Sequence, residues 1–131
     1  MNDGKEIIYW YPNDDLGKRL QTNITNVLFF NERVNNFDII VPNSLLFDRF
    51  WAWKNNLKER GYVLKLLQQK KKKYPKKKYA RLWSTSQLCK NQNVNSFFPY
   101  IIAEEVDVWS KNTVQLLCSI PIKVLIISTR I

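Results

Sequence analysis

The chain contains no histidine at all, which removes the usual imidazole acid–base and triad chemistry and one of the commonest metal ligands. Only two cysteines are present, Cys89 and Cys118, in no CxxC pairing, too few for a disulfide framework or a zinc ribbon. They read as reduced structural thiols. Glycine is equally scarce, with three residues, and so is alanine. No apolar run, Val124–Ile127 included, is long enough to cross a bilayer. Met1–Glu6 is polar and acidic, so a signal peptide or transit peptide is not expected.

What is abundant is positive charge. The 131 residues carry a net charge of +10, and 45% of them are hydrophobic, enough for a packed core. The charge is regional. Between Lys54 and Leu82 there are twelve Lys and Arg against one acid, Glu59, a local net of +11 that leaves −1 elsewhere. Such a window favours a polyanionic partner, nucleic acid or an anionic membrane surface. Rich usage of Lys, Asn, Ile, Phe and Tyr suggests an AT-rich coding sequence.

Periodicity orders the chain into alternating elements. Asp14–Phe30 reads as a helix, with Leu16, Leu20, Ile24, Val27 and Leu28 at helical spacing. Phe37–Val41 reads as a strand ending at Pro42. A helix follows, capped by Asn43 or Ser44, its stripe Leu46, Phe50, Trp53 and Leu57 closed by Gly61. Tyr62–Leu67 and Tyr79–Trp83 read as strands of a hairpin with a long Lys-rich loop, residues 68–78. Ser84–Asn93 is expected to be loop, and Val94–Ile102 extended chain. Val106 and Val108 suggest a further short strand. A short helix should run from Ser110 to Cys118, and Val124–Ser128 should be a buried strand. The expected fold is α+β in two small lobes, an αβαββ lobe over residues 1–83 and a β-rich lobe with one helix over residues 84–131.

Among candidate sites, the acids Glu104, Glu105 and Asp107 could serve a nuclease, but solvated turn acids are the commoner arrangement and no other nuclease motif accompanies them. Catalysis is therefore not expected, nor any cofactor, metal or small-molecule substrate. The lysines Lys70, Lys71, Lys72, Lys73, Lys76, Lys77 and Lys78, interleaved with Tyr74, Tyr79 and Arg81, can neutralise phosphates while tyrosines stack on bases. A solvated loop or a localisation signal would carry the same lysines. Trp53 belongs to the helix stripe and should be core. Trp51 falls nearer the opposite side, suited to contact with a protein neighbour, and Trp10 and Trp109 cannot be assigned to a face.

Two blocks resemble the universal small-subunit ribosomal protein family numbered eight, the S-eight family. The first is Val41-Pro42-Asn43-Ser44-Leu45-Leu46 with Phe50, Leu57, Glu59, Gly61, Tyr62 and Val63. The second is Trp109-Ser110, the segment Lys111–Cys118 and Val124-Leu125-Ile126-Ile127-Ser128-Thr129. Val94–Trp109 is similar in length and apolar pattern to the intervening strand.

The resemblance implies a two-lobed fold that binds the central domain of small-subunit rRNA during assembly. It implies RNA contacts at Ser128 and Thr129, with Arg130 beside them, and makes Lys18 and Arg19 of the first helix candidates. Organellar members look nearest, which implies a mitochondrial ribosome, with neighbouring ribosomal proteins as partners and no membrane. The family pattern continues beyond the Ser-Thr pair, whereas this sequence ends at Ile131. An incomplete second lobe is therefore expected, whose last strand another chain completes. Glu104-Glu105-Val106-Asp107 replaces a basic turn of the family. The rival expectation is a small basic viral or plasmid-encoded protein that binds a nucleoprotein by charge.

Overall fold

In the computed structural model the described residues are 7–12, 34–66, 78–91 and 93–129, with the backbone alone described for 7–12. The expected helix at 14–30 lies outside them. Six strands among the described residues form one sheet: β1 (Ile7–Pro12), β2 (Asn36–Val41), β3 (Val63–Leu66), β4 (Tyr79–Ser84), β5 (Tyr100–Ala103) and β6 (Val124–Thr129). Their order across the sheet is β1-β6-β5-β2-β4-β3, and every pairing is parallel.

Among the described residues three α-helices connect or flank the strands: α1 (Leu46–Glu59), α2 (Thr85–Lys90) and α3 (Lys111–Ser119). The route explains which face each one takes. From β2 the chain passes through α1 and moves two places toward the β3 edge, whereas through α2 and α3 it moves the other way, to β5 and then β6. Right-handed crossovers moving in opposite directions lie on opposite faces. Accordingly Trp53 and Leu57 of α1 pack with Phe37, Ile39, Val41, Ala80, Leu82, Ile102 and Ile126. Leu88 of α2 and Leu117 of α3 pack on the other face with Ile40, Trp83, Ile101, Ala103 and Leu125. Strands buried on both faces read as continuous apolar runs, as Phe37–Val41 does around Asp38.

The mixed α and β class expected from the sequence holds. Within it, the strands assigned to two lobes interleave: β5 pairs with β2, and β6 lies beyond β5. The expected hairpin of β3 and β4 is instead a parallel pair, with Val63 opposite Tyr79, joined through residues 67–78. A parallel pair needs a crossover of about a dozen residues, which that spacing supplies. Nor is β6 an edge in need of another chain. It lies between β5 and β1, with Ile7 opposite Val124. No helix among the described residues is long and apolar enough to cross a membrane.

Local chemistry sets the helix ends. At the C-terminus of α1, Tyr62 N donates to Leu57 O at 2.9 Å and Gly61 N to Lys58 O at 3.2 Å, a Schellman closure. Gly61 has φ +81°, a backbone region that glycine occupies without the Cβ penalty. The N-terminus of α1 departs from expectation. It begins from a 3-10 turn, Asn43–Leu45, with no side-chain cap. The Asn43 side chain serves α2 instead, its Oδ1 accepting from Ser86 N at 3.1 Å. Residues 84–93, expected to be loop, contain α2. Ser84 Oγ accepts from Gln87 N and Gln87 Oε1 from Ser84 N, a capping box. Val94–Ser96, expected to be extended, and Val106–Val108, expected to be a strand, are 3-10 turns.

Candidate nucleic-acid interface

The exposed face of α1 carries large apolar side chains where a surface helix normally presents polar ones. Phe47 and Trp51 stand one turn apart and are 77% and 51% exposed. With Leu46, Phe50 and Leu66 they line a shallow groove of about 130 Å³. The Lys54 ammonium lies 5.1 Å from the Trp51 ring centre and 5.5 Å from that of Phe50, within cation–π range. Lys58 is exposed one turn further on. Trp53, two residues from Trp51, points the other way and is fully buried. The helix thus sorts its tryptophans as its periodicity indicates.

Leu66, which lines this groove, is the last residue of β3 and precedes the Lys-rich stretch in sequence. Of that stretch, Lys70, Lys71, Lys72, Lys73, Lys76 and Lys77 lie outside the described residues, as do Lys18, Arg19 and Arg130. Lys78 is exposed, its ammonium 5.5 Å from the centre of the Tyr62 ring.

Two expected RNA contacts are corrected. Arg81 is buried and committed to Asp38, its Nε and Nη2 donating at 2.6 and 2.8 Å to the two carboxylate oxygens. Nη2 also donates to Ser96 O at 2.9 Å. Asp38 further accepts from Trp83 Nε1 at 2.8 Å and Phe98 N at 2.7 Å. Burial pushes the Asp38 carboxyl above its ordinary value, while Arg81, Trp83 and Phe98 pull it down. A buried acid on β2 would be costly without a partner, and Arg81 on the adjacent strand β4 is that partner. Ser128 is likewise fully buried, its Oγ accepting from Glu105 N at 3.0 Å. Thr129, the last residue of β6, is half-buried.

Of the acids expected to be solvated, Asp107 is exposed but Glu104 and Glu105 are not. Glu104, at the end of β5, is fully buried and accepts from Arg49 Nε and Trp53 Nε1, both at 2.8 Å. Burial raises its pKa, opposed mainly by the Arg49 charge. Glu105 is half-buried, with Arg49 Nη2 3.3 Å from its Oε2. Its φ of +53° is unusual for a residue with a Cβ, and such positions cost about 1–3 kcal/mol. Among the described residues no group of three His, Cys, Asp or Glu side chains is gathered to hold a metal ion. The thiols Cys89 and Cys118 are unlinked.

The parallel sheet with helices on both faces makes this chain an open α/β domain. No protein-family model matches it, and no curated protein does either.

Proposed function

We propose that the protein binds single-stranded RNA along the α1 face, with the lysines of the basic window, Lys54 to Lys78, holding phosphates and Phe47 and Trp51 stacking on unpaired bases. The observation that carries the reading is the exposed Phe47–Trp51 pair, with Lys54 against the Trp51 ring, in a groove that Leu66 helps to line. Aromatic faces stack on any base, and lysines neutralise phosphate, so the combination suits unpaired RNA without demanding sequence. The protein's part is then structural, not catalytic. The resemblance to the S-eight family makes small-subunit rRNA, in a mitochondrial ribosome with its neighbouring proteins, the RNA to try first.

Fluorescence anisotropy with a labelled single-stranded RNA tests the stacking. Replacing Phe47 and Trp51 by alanine should weaken binding by about 1–3 kcal/mol per stacked base. Undiminished affinity in both variants would remove the α1 face from the interface. Sedimentation from the native source tests the assignment to a ribosome: the protein should travel with the small subunit, and free migration would contradict that assignment.

A further inference from the structure

The adjacent strands β2 and β5 send their chains to opposite faces of the sheet, β2 into α1 and β5 toward α3. Segments that diverge in this way open a crevice beyond the carboxyl ends of the strands, the usual ligand position in open parallel sheets. A crevice of about 460 Å³ lies there, within the size range of small-molecule sites. It is lined by Pro42, Asn43 and Ser44 after β2, Thr85 after β4, and Glu105 and Val108 after β5. These residues are distinct from the α1 groove, and the inference does not rest on the RNA reading.

The lining narrows the ligand. Three amides at or beside the crevice are already engaged: Ser86 N by Asn43 Oδ1, Gln87 N by Ser84 Oγ, and Glu105 N by Ser128 Oγ. Among the described residues no cation lines the crevice, and the Arg49 guanidinium is paired with Glu104 and Glu105. A carboxylate among hydroxyls and an amide instead favours a neutral ligand with hydroxyls to donate. Val108, 43% exposed at the rim, offers an apolar surface to a planar ring. A carboxylate beyond a parallel strand is well suited to accept from a vicinal diol.

We propose that this crevice binds an uncharged nucleoside, its ribose diol on Glu105 and its base against Val108. The test is a titration of the isotope-labelled protein, followed by amide chemical shifts, with adenosine, adenosine 5′-monophosphate and 2′,3′-dideoxyadenosine. Adenosine should move the amides of Asn43, Ser44, Thr85, Glu105 and Val108. The dideoxynucleoside should bind about tenfold more weakly, having lost its hydrogen bonds to Glu105. The monophosphate should bind no more tightly than adenosine. Ser44→Trp, a change at an exposed position, should fill the crevice and abolish the shifts. Absence of shifts at millimolar adenosine would overturn the proposal. So would equal binding of the dideoxynucleoside, tighter binding of the monophosphate, or unaltered binding by the Ser44→Trp protein.

Discussion

Replacing Arg49 by methionine should destabilise the fold strongly, and more so at alkaline than at acid pH. Glu104 is fully buried, and only Arg49 Nε and Trp53 Nε1 donate to its carboxylate among the described residues. Methionine fills much of the arginine volume but leaves the carboxylate without its countercharge. Breaking a buried pair from one side costs about 3–5 kcal/mol, a large share of the roughly 5–15 kcal/mol that holds a domain together. The pH dependence follows from the Glu104 pKa, which burial raises and Arg49 lowers. An acid with a raised folded-state pKa binds more protons folded than unfolded between its ordinary and its raised value. Stability therefore falls as pH climbs through that range. Without Arg49 the raised value moves higher still, so the cost should be largest at pH 8 and smaller at pH 5. Glu104→Gln in the Arg49→Met background removes the stranded charge and should recover part of the loss. Urea unfolding followed by far-ultraviolet circular dichroism measures all three proteins at both pH values. A cost below about 1 kcal/mol at pH 8, the scale of an exposed pair, would refute the reasoning, as would a cost that ignores pH.

Three further outcomes are expected. Gly61→Ala should cost about 1 kcal/mol by urea unfolding, because φ +81° penalises any Cβ even though no atom lies within 4 Å of the added one. Ser84→Ala should cost about 1 kcal/mol by the same measurement, through loss of the α2 capping box, with RNA affinity unchanged. Tyr62, whose hydroxyl donates to Val34 O, has its pKa raised by burial against the opposing Arg60 charge. The folded state therefore holds that proton above pH 10, and its contribution to stability is lost as pH rises further. Relative to Tyr62→Phe, the protein should lose stability above pH 10, and its tyrosinate absorbance should include one late-titrating group.

Much of the element order was legible in the chain. The stripe Leu46, Phe50, Trp53 and Leu57, with Gly61 beyond it, predicts α1 and its buried face because helix packing has a local period. Phe37–Val41 and Val124–Ser128 declare strands by their β-branched content. Strand pairing has no such local signature, so β3 and β4 read as a hairpin when they are parallel neighbours. The capping box of α2 was available as Ser84-Thr85-Ser86-Gln87 but lacked a long apolar run to announce a helix. Ile7–Tyr11 is rich in strand formers and marks β1, the neighbour that β6 was expected to lack.

The charges were harder to read than the elements. Arg81 lies in a basic window, and counting charge assigns it to phosphate. Its immediate neighbours Ala80, Leu82 and Trp83 are apolar, however, and Asp38 is a lone acid between Phe37 and Ile39. Each of those charges needed a buried partner, and each is the other's. Glu104 and Arg49 are matched in the same way across 55 residues, a separation no local pattern reaches. Phe47 and Trp51, by contrast, were open to view, being bulky residues off the stripe of an amphipathic helix.

The central claim is that the basic window meets RNA phosphates, and the salt dependence of binding tests it most directly. Affinity for a single-stranded RNA should be measured from low to moderate salt for the protein and for a variant with Lys70, Lys71, Lys72 and Lys73 all replaced by alanine. Each phosphate contact contributes about 0.7 to the logarithmic salt slope, so four lost contacts should flatten it by about three. A slope unchanged by the four substitutions would contradict the account.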